Sequence, residues 1–191
     1  MLRTLKTKFT PAEYLAMEEV ADYKSEYYAG EVFAMTGGSA DHSAVAVNLT
    51  AELQRFLASK PCQVFNSDMR LYLQKSGLYT YPDVMVVCGK LQFVERRDDT
   101  LVNPVLIIEV LSKSTRDYDR GPKFEFYKQL DTLREYVLVA SEHPRVECYR
   151  RTADDRWTIE AYAGLDAVAR IETLACELPL GDIYHKVSWT G

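Results

Sequence analysis

The spacing of hydrophobic positions changes along the chain, and each change predicts an element. Between Asp41 and about Ser59 the period is helical. Val45, Leu49, Leu53 and Phe56 follow one another at steps of four, four and three, drawing one apolar stripe. His42 lies three residues before Val45 and continues that stripe at the helix N-terminus. "FTPAEYLAMEEV" predicts an earlier, short helix, with Thr10 as N-cap, Pro11 at its first position and Glu13 at its third. "SEYYAGEVFAMT" reads as a hairpin turning at Ala29-Gly30. "CQVFNSDMRLYL" and "LYTYPDVMVVC" read as two strands separated by the turn "QKSG", and "GKLQFVERRDDT" as a polar connection.

"PVLIIEVL" is short and almost wholly apolar, the pattern of a strand in mid-sheet. "GPKFEFYKQLDTL" predicts a helix with Pro122 near its first turn, and "REYVLVA" a second buried strand. "RVECYRRTADDRWTIEAYAG" predicts an exposed hairpin, and "LPLGDIYHKVSW" a short helix packing back on the body. Apolar strands followed by helices point to an α/β domain, and the short connections favour one domain over residues 1–191.

Composition changes little in this picture. The 191 residues, 47% hydrophobic and 27% charged, can form one sizeable core. Many of the 13 tyrosines are expected half-buried, with the hydroxyl reaching water or a partner. A net charge of −5 argues against coating nucleic acid by bulk electrostatics, but not against a local basic strip beside an acidic metal site. Cys62, Cys88, Cys148 and Cys176 form no CxxC pair and are expected to be reduced, mostly buried thiols. No apolar run approaches the roughly 18 residues of a spanning helix. The basic N-terminus "MLRTLKTKFT" lacks the apolar core of a signal peptide, so a cytoplasmic protein without a membrane partner is expected.

Two carboxylates border apolar strands: Asp83, directly after Pro82, and Glu109, directly after Ile107-Ile108. A carboxylate at the end of a buried strand is costly unless something compensates its charge. If the two strands are neighbours, Asp83 and Glu109 can share a cation, and hard oxygen ligands of this kind suit Mg²⁺ or Mn²⁺. A nearby lysine would neutralise developing charge or orient an attacking water. Position 111 is a leucine, and Ser112 and Ser114 suggest that the chain turns before Lys113. Lys123, at the start of the next helix, is the better candidate, with Tyr127 four residues on along the same face.

"YPDVMVV", "LIIEVLSKST" and "DYDRGPKFEFYKQLDTLREYVLV", in that order, resemble the PD-(D/E)xK nuclease superfamily, and more closely its Uma-two family of restriction-endonuclease-like proteins. "YYAGEVFAM", the helix led by His42, and "NSDMRLYL" carry the resemblance further, over about residues 10–150. It implies a restriction-endonuclease-like fold, a mixed central sheet flanked by helices, here with an extra C-terminal hairpin. It implies Asp83 and Glu109 as metal ligands, and a lysine moved from the strand to the neighbouring helix, which Lys123 fits where Leu111 stands. The implied activity is an Mg²⁺-dependent endonuclease acting on DNA. A homodimer is also implied, with the hairpin from Arg145 to Ala163 and its Trp157 as the candidate surface.

Other readings of these residues stay open. Asp83 fits a turn after proline, Glu109 a buried partner for Arg70, and Lys123 a helix residue pairing with Asp119. His42 fits either a core histidine or an acid-base group beside the metal, and Glu31 an extra acidic residue at the site; Asp68 is a similar acidic candidate. Lys113, Arg116, Arg120 and Lys128 read mainly as solvated surface, with one or two contacting phosphate. The alternative to an enzyme is a non-catalytic module that keeps the nuclease fold for binding nucleic acid or protein. A phosphatase on a small substrate is disfavoured because the chain has no GxxxxGK[ST] phosphate cradle.

Overall fold

A computed structural model describes residues 8–189. Most of "MLRTLKTKFT" therefore lies outside the described residues. The molecule is organised around a six-stranded mixed sheet whose two faces carry different layers. The sheet comprises β3 (Cys62–Asn66), β6 (Val84–Cys88), β8 (Leu106–Leu111), β9 (Glu135–Ala140), β10 (Arg145–Arg151) and β11 (Trp157–Ala163). Their spatial order is β11-β10-β9-β8-β6-β3, and β8 and β9 are its one parallel pair. The central β8 and β9 are buried at every residue, as their unbroken apolar runs require.

Strand alternation sorts the two faces. Val84, Val86, Leu106, Ile108, Val110, Val137 and Val139 meet the long helix α2 (Ala40–Leu57), the hairpin β12–β13 (Val168–Ile171, Cys176–Pro179) and α5 (Leu180–Ile183). Met85, Val87, Ile107, Leu111, Tyr136 and Leu138 meet the opposite layer. That layer contains a second sheet, of order β2-β1-β5-β4-β7, formed by β1 (Ser25–Tyr28), β2 (Glu31–Ala34), β4 (Arg70–Leu73), β5 (Leu78–Thr80) and β7 (Thr100–Leu101). The helix after β8 completes it, contributing Phe124 and Tyr127. Positions 83, 85, 87 and 107, 109, 111 therefore share a face, so Asp83 and Glu109 point into the second layer.

Several elements form as their residues dictate. Helix α1 (Pro11–Glu18) starts in a capping box, with Thr10 and Glu13 each accepting the other's backbone N–H. The β1–β2 turn holds Ala29 at φ 51° and Gly30 at φ 91°, the paired positive angles of a type I′ hairpin turn. In α2 the buried stripe is Val45, Leu49, Leu53 and Leu57, with Phe56 at its edge.

Other elements differ from the expected pattern. Each of the two long strand-like runs breaks in the middle, at residues 67–69 and 81–83, and its halves join different sheets. The Asn66–Asp68 side-chain and backbone bonds make the first break; Pro82, which has no N–H to give a ladder, makes the second. The helix expected at Gly121 begins at α3 (Arg116–Tyr118), widens into a π-helical stretch at Asp119–Lys123 that contains Pro122, and ends as α4 (Phe124–Tyr127). The β12–β13 hairpin was not legible as strands.

The hairpin from Arg145 to Ala163 is exposed only along its outer strand: β10 is mostly buried, and Trp157 packs edge-on against Phe124 with ring centroids 5.2 Å apart. Tyr14, Tyr127 and Tyr136 are buried completely rather than by half, each with its hydroxyl bonded: to Ser25 O at 2.6 Å, Glu109 Oε1 at 2.7 Å and Asp119 O at 3.0 Å.

The cysteine expectation is corrected. Cys62 and Cys88 are directly opposed in the antiparallel β3–β6 pair and form a disulfide, whereas Cys148 and Cys176 are free and buried. Widely spaced cysteines give no sign of such a pairing until the strand register is known. Among the described residues no helix is long and apolar enough to cross a membrane.

The α2 stripe is tested by truncation. Leu49→Ala is expected to lower the unfolding free energy by about 2–5 kcal/mol. Val47→Ala, on the same helix but 63% exposed, is expected to change it by less than about 0.5 kcal/mol. Urea titrations of both variants measure the difference.

Candidate active site

Asp83 and Glu109 are brought together by the β6–β8 register. Val84 pairs with Ile108, so the next residue outward on each strand faces the other. Each carboxylate then takes a backbone donor from the opposite chain segment. Val110 N donates to Asp83 Oδ2 at 2.8 Å, and Asp83 N donates to Glu109 Oε2 at 3.3 Å. The two acids thus replace ladder bonds where the strands part, which fixes them against each other.

Lys123 comes from the π-helical stretch and reaches the same point. Its Nζ lies 2.9 Å from Glu109 Oε1, 3.5 Å from Glu26 Oε1 and 3.6 Å from Asp119 Oδ1. An ammonium has three donors, and three carboxylates surround this one. Tyr127, one turn on, donates to Glu109 Oε1 at 2.7 Å, and Thr80 donates to Glu26 Oε1 at 2.5 Å. Lys123, Glu109 and Asp119 are all buried.

His42 approaches from the other face of the sheet, at the start of α2, where Ser39 accepts its backbone N–H at 3.2 Å. Its Nε2 is 3.3 Å from Asp83 Oδ2. The Gly37-Gly38 loop passes so close that a Cβ on Gly38 would stand 2.6 Å from His42 Nδ1, so a glycine is needed there to seat the ring.

His42, Asp83, Glu109, Asp119 and Lys123 line a cleft of about 670 Å³ between the α2 N-terminus and the loop after β8. Tyr81 and Trp189 also line it. Tyr81 belongs to a chain beneath the site, donating to Glu18 at 2.6 Å and accepting from Arg70 Nε at 2.7 Å. Arg70 also lies 3.6 Å from Asp99, so its ionic partner among the described residues is Asp99 and not Glu109.

The electrostatics of the site are unbalanced toward negative charge. Burial, then the neighbouring charges of Asp83 and Asp119, push Glu109 up to about 8, against the pull of Lys123. Burial likewise raises Asp119, again against Lys123. Burial pulls Lys123 down, but Glu109, Glu26 and Asp119 together hold it well above the ordinary lysine range. The hydrogen bond to Asp83 raises His42 above its ordinary value despite burial.

The donor set fits a hard divalent cation. Asp83 is partly open to the cleft, and its Oδ1 has no protein partner among the described residues. Beside it Glu109 is raised first by burial and then by the like charges of Asp83 and Asp119, and the like charge is the part a cation relieves. Asp83 and Glu109 are the residues that can hold it, with water completing the shell as Mg²⁺ prefers. Among the described residues no cluster of three or more His, Cys, Asp or Glu side chains forms an all-protein cage.

Of the residues singled out in the sequence, Asp83, Glu109, Lys123 and His42 converge. Glu31 does not join them: it is exposed on β2 and does not line the cleft. Asp68 is exposed and binds Lys24. The acidic residue of the hairpin that does reach the site is Glu26, five positions earlier, on the strand before the turn rather than after it. Its only signal was alternation, since Ser25 and Tyr27 are buried on the opposite face. Asp119 was legible as part of the family pattern and as a helix partner of Lys123, from whose Nζ its Oδ1 lies 3.6 Å.

Comparisons with known proteins agree with this architecture. A family model described as "Uma2: Putative restriction endonuclease" matches residues 11–181, and the chain belongs to that family. Two proteins of Synechocystis sp. PCC 6803 are similar to it. Uncharacterized protein sll1609 is 39% identical over 158 residues, covering 83% of this chain and 89% of its own. Uncharacterized protein slr1290 is 33% identical over 182 residues, covering 95% and 94%. A crystal structure from Anabaena variabilis, titled a putative nuclease belonging to DUF820, superposes with a TM-score of 0.74 at 17% identity, covering 92% of this chain and 97% of its own. That likeness establishes the restriction-endonuclease-like fold, sheets flanked by helices, and the family makes the chain nuclease-like.

The raised Glu109 has a pH consequence. Its folded value, about 8, exceeds its ordinary 4.5, so the folded state binds the proton more tightly than the unfolded one. Its contribution to stability is therefore full below about pH 4.5 and is lost as pH rises through about 8. Glu109→Gln is expected to flatten this part of the stability profile, measured by urea unfolding at intervals between the two values. Lys123→Met strands the buried carboxylates of Glu109 and Asp119 beside the half-buried Glu26 and is expected to cost about 3–5 kcal/mol, in the same assay.

Proposed function

We propose that the chain is a metal-dependent DNA endonuclease that hydrolyses phosphodiester bonds in this cleft. The observation that carries the reading is the convergence of Asp83, Glu109 and Lys123 at the meeting of β6, β8 and the following helix, in a chain whose family is described as restriction-endonuclease-like. Asp83 and Glu109 would hold Mg²⁺ or Mn²⁺. The bound ion supplies Lewis acidity at the phosphoryl oxygen and a more acidic water.

This chain's own residues do the rest. Lys123, kept charged by three carboxylates, faces the charge that develops on the phosphoryl group and helps to orient the attacking water. Glu26, Asp119 and Tyr127 hold the lysine and Glu109 in place without needing to touch substrate. His42, protonated more readily than a free histidine, fixes Asp83 from the far side and can hold a proton at Nε2. Cutting both strands of a duplex requires two sites, and the outer edge of β11, with Ile159 exposed, offers a self-complementary surface for a second copy.

Wild-type protein is expected to nick supercoiled plasmid with Mg²⁺ or Mn²⁺, and Asp83→Asn or Glu109→Gln to reduce the rate by about 10³-fold or more. Absence of nicking by folded wild-type protein would leave the binding-module reading in its place. Metal binding is separable from cleavage. Without DNA, millimolar Mn²⁺ is expected to raise the melting temperature of wild type but not of Asp83→Asn, and to raise it more at pH 8 than at pH 6, because protons compete for Glu109.

A further inference from the structure

The cleft that would cut a phosphodiester is a poor place to capture one. Asp41, Asp83, Glu109, Asp119 and Glu142 line it against Lys113 and Lys123. The whole chain carries −5. A polyanion needs favourable charge elsewhere, close enough to deliver it to Asp83 and Glu109.

A second groove, of about 390 Å³, begins where the cleft ends. The two share Ser112, Ser141 and Glu142 at the ends of β8 and β9, so one runs into the other. Its charge is of the opposite kind. Arg116, Arg120 and Arg145 line it against Glu142 and Glu147, and Glu142 already pairs with Lys113 at 3.2 Å.

Glu147 acts as a clamp rather than a neutraliser. It is buried, and it binds two guanidiniums at once: Arg120 through Nε and Nη2 at 3.2 Å each, and Arg145 through Nε at 2.8 Å. Tyr149 supports it with a longer bond of 3.4 Å. One carboxylate thus orients two arginines and leaves a net positive charge. Arg120 Nη1 and both Nη atoms of Arg145 keep donors without a protein partner among the described residues. Arg116 lies four residues before Arg120, is exposed, and has no ion pair among the described residues. Ordered guanidiniums with free N–H groups are suited to phosphate oxygens.

We propose that this groove is a phosphate-binding subsite, in which Arg116, Arg120 and Arg145 hold the DNA backbone to one side of the scissile phosphate. The inference rests on the nuclease reading for its choice of ligand. Base edges play no part in such contacts, so the subsite contributes affinity and direction along the strand but no sequence preference.

The test measures binding apart from cleavage. Fluorescence anisotropy with a labelled DNA duplex is recorded in EDTA over a range of salt, for wild type, Arg116→Gln, Arg145→Gln and the double variant. Arg96→Gln, an exposed arginine lining neither groove, is the charge-matched control. Thermal melts confirm that each is folded. Each groove substitution is expected to weaken binding about five-fold and to lower the slope of log affinity against log salt by about one; the control is expected to do neither.

Groove variants that bind with wild-type affinity and slope, or a wild-type protein that binds no DNA, would overturn the subsite. The two readings fail separately. Loss of binding in the groove variants, with no plasmid nicking by wild type under any metal, would uphold the subsite and sink the nuclease. Metal-dependent nicking that the groove variants match in both affinity and rate would do the reverse.

Discussion

The buried pair between Lys123 and Glu109 is the constraint around which the site is arranged. Neither group is tolerable alone inside this protein. Glu109 lies inside the apolar strand β8, and Lys123 sits within a helix packed on that strand. Together they tie the helix after β8 to the central sheet, and the helix in turn carries Tyr127 and Phe124 into the core. The pair is not self-sufficient. Glu26, Asp83 and Asp119 leave it with more negative than positive charge, so the folded protein holds a demand for a proton or a cation at the cleft floor.

Much of this was legible in the chain. The helical stripe of α2, the capping box at Thr10, the hairpin at Ala29-Gly30 and the apolar runs of β8 and β9 follow from period and turn chemistry. Asp83 and Glu109 stood out because carboxylates rarely border such runs. Lys123 stood out as the lysine of the helix that follows Glu109, although that helix begins earlier than expected, at Arg116, and Lys123 lies within it.

What was not legible depends on long-range register. Two strand-like runs each divide between two sheets, and only Pro82 and the Asn66–Asp68 turn mark the breaks. Cys62 and Cys88 pair because β3 and β6 place them opposite one another, a fact of pairing and not of spacing. Glu26 and Glu31 lie on the two arms of one hairpin, and alternation alone does not tell which arm faces the site. The π-helical stretch brings Asp119 and Lys123 to the same carboxylate although Pro122 lies between them, and a pattern of period 3.6 does not anticipate it.

The lysine and the glutamate are joined by the exposed serine- and threonine-rich turn at residues 112–115, which carries no core residue. Their proximity is set by the docking of the helix on the sheet, so the intervening chain is free to change length. In a motif written along a single strand, an insertion separates the reacting groups. Here an insertion leaves them where they are and alters only the wall of the cleft and the entrance to the arginine groove. The arrangement uncouples the evolution of chemistry from the evolution of access. A change in the 112–115 turn would then alter what the cleft admits without moving the charged centre.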